Sequence, residues 1–157
     1  MDKYKGRESG FTLLELLVTI AIFAIVVALA APNFMGSLQT GRLKSTSNGF
    51  HKLLKYSRAE AIRTGKNVAI ISNASGFSAR TTDATPIDIR RAVIGSGVVF
   101  NTTVTNLQFD NRGFVQSTVP TAGLRIFTFC DNRVKEEGYR VTVLESGLSV
   151  IERFTCT

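Results

Sequence analysis

The chain is poor in the residues from which most metal and hydrolytic sites are built. Its 157 residues include a single histidine, His51, and only two cysteines. A lone histidine without cysteines or carboxylates at ligand spacing is far more often structural than catalytic. A glycine-rich phosphate loop is also missing, since neither a helix pattern nor a lysine follows Gly95-Ser96-Gly97. We therefore predict no catalytic, cofactor or metal site and no enzyme activity.

The two cysteines, Cys130 and Cys156, are too few for a zinc cluster. They are 26 residues apart and fit a single disulfide bond if the domain lies outside the cytoplasm. Loop-closure entropy would then let the bridge contribute about 3.5 kcal/mol to stability. The alternative is a pair of unbridged, buried thiols.

Low-complexity tracts and internal repeats are absent as well. With 44% hydrophobic and 20% charged residues, the composition is that of a globular chain and not of a disordered one. Nineteen basic against twelve acidic residues give a formal net charge of +7. This charge predicts attraction to acidic surfaces, anionic lipid or nucleic acid, without choosing among them.

The strongest positive feature is an apolar run over residues 11–31 that contains one charge, Glu15. At about 1.5 Å per residue a helix of this length spans about 30 Å, the thickness of a hydrocarbon core. Lys3, Lys5 and Arg7 precede the run, and the ten residues after it carry no base. Because basic flanks stay in the cytoplasm, we predict a single pass through the inner membrane with the C-terminus in the periplasm.

A second interpretation of the same segment is an ordinary secretory signal. The small residues Ala28-Leu29-Ala30 would then place cleavage before Ala31 and leave a soluble mature chain. The length of the run and the acid inside it argue against this. A carboxylate near the centre of a bilayer costs roughly 3 kcal/mol and usually marks a functional site.

Residues 10–17 (GFTLLELL), behind their basic leader, resemble the class III signal of type IV pilins and type II secretion pseudopilins. The resemblance implies that residues 1–10 are a leader, cut between Gly10 and Phe11 by a prepilin peptidase that then methylates Phe11. It also implies that Glu15 meets the terminal amine of a neighbouring subunit during filament assembly. Pairing would recover much of the cost of burying the carboxylate and favour one axial register. Because Phe11 and Glu15 share a helix face, a contact within one subunit remains the alternative.

An amphipathic helix pattern continues over residues 32–65. Four apolar residues lie within about 40° on a helical wheel and are the predicted core face. They are Leu43, Phe50, Leu54 and Ala61. The stretch 53–63 (LLKYSRAEAIR) resembles the helix end of the GspH/FimT-like branch of pilins, in which an "L-x-x-A/S-R-x-E-A-I" segment leads into the first strand. We expect Arg58 and Glu60 to reach polar partners there.

Two groups of basic residues are candidate contacts for DNA or a partner protein. The first occupies an arc of about 100° on the other side of the helix and comprises Lys44, Lys52, Lys55, Arg63 and Lys66. The second lies near the C-terminus and comprises Arg133, Lys135, Arg140 and Arg153. Ordinary solvation, contact with a neighbouring subunit and contact with an anionic polymer are all open for the first group. Acidic residues lie among the second group and offset part of its positive charge.

Residues 66–157 change to short strands separated by turns. The predicted strands are 67–72, 77–81, 89–94, 97–103, 106–109, 114–116, 124–130, 139–144 and 148–154, and the last two form a terminal hairpin. We therefore predict an α+β protein with a pilin fold. Its long N-terminal helix, membrane-spanning in its first half, packs on a C-terminal antiparallel β-sheet or sandwich domain.

The resemblance implies a minor pilin that assembles into a type IV pilus. The partners it implies are other pilin subunits, the prepilin peptidase and the inner membrane. Near the tip it would help to initiate the pilus, and it would move from the inner membrane to the pilus at the cell surface. One alternative is a GspH-like pseudopilin of a type II secretion system. Another is a DNA-binding minor pilin for natural transformation. Some FimT-like proteins use a "G-R-x-R" stretch for this, but here Leu148, Ser149 and Val150 follow Gly147.

Overall fold

The computed structural model describes residues 11–73, 75–104, 106–116, 124–131 and 137–156, and of residues 30–34 it describes the backbone alone. Gly10 and the rest of the predicted leader therefore lie outside the described residues, as do Arg133 and Lys135. The chain divides into two compact units, one up to Leu38 and one from Gln39 onward.

A single helix, α1, runs over Leu13–Thr64 and accounts for the predicted helical segments. Thr12 caps its start, because the backbone N–H of Glu15 donates to Thr12 Oγ1 at 3.2 Å. Gly65 follows its end with a φ of 68°, the left-handed conformation that glycine adopts without steric cost.

In the unit up to Leu38 the described apolar side chains are exposed. Leu13 is 81% exposed, Phe23 68% and Leu29 72%. Within the part of the chain that the structure describes, no helical stretch combines the length and the hydropathy of a membrane span. The predicted span 11–31 ends on two residues whose side chains lie outside the described part, and it stays a prediction.

Two antiparallel sheets make up the second unit. The five-stranded sheet has the order β3-β2-β1-β5-β6; its strands are β1 Val68–Asn73, β2 Gly76–Thr81, β3 Asp88–Val93, β5 Leu107–Phe109 and β6 Val115–Gln116. The four-stranded sheet has the order β4-β7-β8-β9; its strands are β4 Val98–Thr102, β7 Arg125–Asp131, β8 Gly138–Val143 and β9 Ser149–Phe154. All nine predicted strands are confirmed, with each end within one residue of its predicted position.

The predicted terminal hairpin is also confirmed. β8 and β9 pair from Val143↔Ser149 to Gly138↔Phe154. In the connecting turn the N–H of Leu144 donates to the carbonyl of Leu148, and Gly147 adopts a φ of 79°. The left-handed residue makes the tight reversal possible.

The core is centred on Phe50 of α1, which is fully buried. Its ring centroid lies 4.5 Å from that of Phe77 in the first sheet, and 4.9 and 5.4 Å from those of Phe127 and Phe129 in the second. The four residues of the predicted core face are each at most 2% exposed; these are Leu43, Phe50, Leu54 and Ala61. The predicted α+β architecture, a helix packed on antiparallel sheets, is therefore confirmed.

A disulfide bond joins Cys130 to Cys156, with their Cα atoms 6.2 Å apart. Cys130 lies near the end of β7, and Cys156 follows β9. The bridge passes over Gly138, where a Cβ would collide with the sulfur of Cys156. The predicted disulfide is thus confirmed, and the bridge fastens the C-terminal segment to the middle of the second sheet.

Candidate assembly site and charged surfaces

The candidate assembly site lies in the first turn of α1. Phe11 is 74% exposed, and Glu15 is exposed as well. Among the described residues, none forms an ion pair with the Glu15 carboxylate. With respect to the described residues, this carboxylate is therefore available to an outside partner.

Glu15 also has a local role that the sequence reasoning missed. Thr12 and Glu15 are spaced as in a capping box, in which a Thr at the N-cap precedes a Glu three residues later. The hydrogen bond from Glu15 N–H to Thr12 Oγ1 is one half of this motif. An acid in the first turn also interacts favourably with the helix dipole, by about 0.3–1 kcal/mol. The Thr-x-x-Glu spacing was the signal that could have revealed it.

The apolar residues around Glu15 form a continuous exposed surface over residues 11–29. The most exposed are Phe11, Leu13, Leu14, Phe23 and Leu29, each above 65%. Thr19 does not interrupt this surface, because its hydroxyl donates to the carbonyl of Leu16 at 2.8 Å. Burying one such large side chain contributes about 1.5–3 kcal/mol. The surface is therefore suited to a lipid or protein environment.

The basic face predicted for the second half of α1 exists, but nearby carboxylates neutralise part of its charge. Lys44, Lys52 and Lys55 are exposed. Arg63 pairs with Glu60 at 2.6 Å, and a hydrogen bond from Arg63 lowers the pKa of the Glu60 carboxyl. Lys66 pairs with Asp83 at 2.7 Å. The three lysines therefore carry most of the positive charge of this face.

The C-terminal basic group does not form a phosphate-binding cluster among the described residues. Arg140 Nη1 lies 3.5 Å from Glu152 Oε1, and its guanidinium stacks 4.8 Å from the ring centre of Phe154. Arg153 is exposed. Arg140 is thus engaged within the β8–β9 hairpin, in which Glu152 offsets its charge.

The structure brings together a charged cluster on β2 and β3 that the sequence reasoning did not find. Asp88 lies 2.7 Å from both Arg80 and Arg91. Hydrogen bonds from Arg80 and Arg91 lower the pKa of Asp88 to about 2. Arg80 faces Asp88 across the strand pair, so only the register of β2 and β3 reveals this contact. In the same strand, Arg90 stacks on Tyr56 of α1, 4.9 Å from the ring centre.

The end of α1 confirms the prediction that Arg58 and Glu60 reach polar partners. Arg58 Nε donates to the carbonyl of Gly113 at 3.1 Å, and Glu60 pairs with Arg63. Gly113 lies in the turn before β6, so Arg58 ties the helix to the first sheet.

Two family models match the chain. The prokaryotic N-terminal methylation motif matches residues 5–31, which include Gly10, Phe11 and Glu15. The model of type II transport protein GspH matches residues 46–147, from the middle of α1 into the β8–β9 turn.

Two curated relatives match shorter segments. The chain is 39% identical over 56 residues to type II secretion system protein H of Xanthomonas campestris pv. campestris, covering 36% of this chain and 33% of that protein. It is 54% identical over 33 residues to type II secretion system core protein G of Aeromonas hydrophila, covering 21% of this chain and 23% of that protein. The matched segments thus span a third or less of each relative.

Two crystal structures of the type IV minor pilin FimU from Pseudomonas aeruginosa share the fold. One superposes with a TM-score of 0.59 at 20% identity, covering 72% of this chain and 90% of FimU. The other has a TM-score of 0.57 at 22% identity, covering 70% and 92%. The predicted pilin fold is therefore confirmed.

Proposed function

Because the chain belongs to the GspH family of type II transport proteins, we propose that it is a minor pilin that assembles into a type IV pilus. In this proposal it lies near the tip, supports pilus initiation and has a structural, non-enzymatic role. The observation that carries the proposal is the exposed carboxylate of Glu15 at the start of α1, where the apolar side chains of residues 11–29 are exposed among the described residues.

The match to the methylation motif over residues 5–31 implies an N-terminal helix that anchors the protein in the membrane. We propose that this is the inner membrane, that the prepilin peptidase cuts between Gly10 and Phe11, and that residues after 31 face the periplasm. The methylated Phe11 of a neighbouring subunit then supplies the ammonium for Glu15. Inside an apolar filament core an unpaired carboxylate costs several kcal/mol, so this pair selects one register between subunits.

A second candidate function is that of a pseudopilin in a type II secretion system. It is favoured by the description of the matching family and by the names of both curated relatives. The disulfide bond favours the pilus, because a surface-exposed tip gains more from a covalent link than a periplasmic filament does. Deletion of the gene that encodes the chain separates the two candidates. Loss of pilus formation would indicate the first, and loss of protein secretion the second.

DNA uptake gains no support from the positions of the basic residues. Arg63, Lys66 and Arg140 are each paired with a carboxylate. Lys44, Lys52 and Lys55 lie on a helix face that also fits simple solvation or a protein contact.

Mass spectrometry of the native chain tests the processing step. We expect an N-terminus at methylated Phe11, which keeps the apolar helix in the mature protein. An N-terminus at Ala31 would instead indicate a secretory signal and would overturn the proposal.

Substitutions at Glu15 test the assembly step and separate it from helix capping. We expect Glu15→Ala and Glu15→Gln to be processed normally but to reach sheared filaments at about a tenth of the wild-type level or less, because both lack the charge that pairs with an ammonium. Glutamine still serves in a capping box, and Thr12→Ala removes the cap while keeping the carboxylate.

The capping variant is therefore the matched control. Immunoblots of sheared filaments should show Thr12→Ala close to the wild type. Normal incorporation of Glu15→Gln would mean that Glu15 acts only through its own helix, and the register argument would fail.

A further inference from the structure

Four exposed apolar residues lie at or next to the contacts between α1 and the turns before β6 and β9. They are Ile62, Phe114, Leu144 and Leu148, which are 49%, 50%, 39% and 54% exposed. We call them the end patch. A Cβ at Gly113 would lie 2.7 Å from Ile62 Cδ1, and Leu144 is hydrogen-bonded to Leu148 across its turn. Clusters of this kind mark interaction sites more often than scattered apolar residues do.

The backbone beneath the end patch is held in place from three sides. Arg58 Nε donates to the carbonyl of Gly113, and a Cβ at Gly147 would collide with that same carbonyl oxygen. Val115 N–H donates to the carbonyl of Glu145 at 2.9 Å, which joins the two turns directly. A surface with little freedom to lose binds a partner at lower entropic cost.

A groove of about 310 Å³ opens beside the end patch, between α1 and the β8–β9 turn. Its lining residues are Lys55, Arg58, Ala59, Ile62, Gly147, Leu148 and Ser149. Ile62 and Leu148 thus belong both to the groove and to the end patch. The volume is sufficient for one large apolar side chain of a partner.

The charge at the groove is positive. The carboxylates near it are paired with arginines: Glu60 with Arg63 at 2.6 Å, Asp110 with Arg112 at 3.3 Å, and Glu145 with Arg125 at 3.9 Å. Among the described residues no carboxylate pairs with Lys55 or Arg58, both of which line the groove. The rim therefore favours a partner that brings negative charge.

We propose that the end patch and its groove are the docking surface for an acidic segment of a different subunit of the same filament, with one apolar side chain seated in the groove. This inference rests on the proposed function, because it takes the partner from the same assembly. A second copy is disfavoured, since two chains of net charge +7 would bring two basic rims together. Nucleic acid is disfavoured because phosphate contacts do not use an apolar groove.

The test measures binding of the full-length chain in detergent to each other pilin-type subunit of its own assembly, purified in the same detergent. We expect Leu148→Glu to weaken binding to one of them by about tenfold or more, since it places a negative charge in the apolar contact. Lys55→Glu should weaken the same binding by about threefold or more and reduce its salt dependence.

Matched controls lie outside the groove. Val150→Glu makes the same change at a residue that is 55% exposed in the same hairpin, and Arg42→Glu makes a charge reversal at an exposed residue of the same helix. Both should change binding by less than about twofold. An intact disulfide and an unchanged midpoint of thermal unfolding verify that each variant is folded. If Leu148→Glu unfolds, Leu148→Ala replaces it and should weaken the same binding by about threefold or more.

Equal binding by the Leu148 variant and Val150→Glu would overturn the inference. The inference would also be overturned if no subunit binds while Lys55→Glu weakens the binding of a labelled 20-base-pair DNA duplex. Because Glu15→Gln leaves the end patch intact, its failure to assemble reports on the N-terminal site alone. The two proposals can therefore fail independently.

Discussion

The two regions of helix α1 carry similar apolar side chains in opposite environments. Phe23 is 68% exposed, whereas Phe50, on the same helix, is fully buried. Hydropathy does not explain the difference, but the surroundings of each region do. Two sheets cover residues of the second unit, whereas the described residues up to Leu38 include no strand. An apolar helix face is a core only when the chain supplies its partner surface. Otherwise it requires a membrane or another subunit.

Removing one phenylalanine from each region should separate the two regions most clearly. Phe50→Ala should lower the free energy of unfolding by about 3–5 kcal/mol, because it empties the centre of the aromatic cluster. Phe23→Ala should leave it within about 0.5 kcal/mol, because that side chain contributes nothing to the core of the second unit. Denaturant titration of the full chain in detergent measures both variants. Equal losses in the free energy of unfolding would contradict this expectation.

Removal of the disulfide bond should have a moderate effect on stability that is confined to the second unit. Replacing both Cys130 and Cys156 by serine should lower the stability of the second unit by about 2–4 kcal/mol, because the unfolded chain regains the freedom of a closed loop. The helix up to Leu38 should keep its protection from hydrogen exchange, since the bridge lies wholly in the other unit. Hydrogen exchange resolved by peptide separates the two regions; a loss of protection in both would contradict the expectation.

The least change in stability is expected from the protonation of a carboxylate in the second unit. In the folded chain the pKa of Asp88 is lowered from an ordinary 3.8 to about 2 by Arg80 and Arg91. The stability that this carboxylate contributes is therefore present above about pH 4 and is lost as the pH falls toward about 2. Asp88→Asn should flatten the pH dependence of unfolding of the second unit in this range.

Glu15→Gln is the control for that measurement, because Glu15 belongs to the other unit and should not alter the acid transition of the second. Thermal unfolding at a series of pH values between 2 and 5 is the measurement. An unchanged profile in Asp88→Asn would show that the two arginines do not stabilise the carboxylate.

Much of the fold was predictable because its signals are local. Strand alternation and turn residues located all nine strands, and the helical spacing of Leu43, Phe50, Leu54 and Ala61 identified the buried face. The N-terminal motif was legible for the same reason, since Gly10, Phe11 and Glu15 lie within six residues of one another. The helix cap formed by Thr12 and Glu15 is equally local, and the Thr-x-x-Glu spacing is enough to predict it.

Local sequence is enough to specify which residues form helix and strand, which of them are apolar, and where a charge interrupts an apolar run, because these properties depend on neighbours a few positions apart. The placement of Asp88 between two arginines and of Ile62 beside Leu148 in one groove arises only in the folded domain. Strand register and the packing of turns against a helix set these contacts. Both depend on the whole core closing at once, and no short stretch of sequence encodes them.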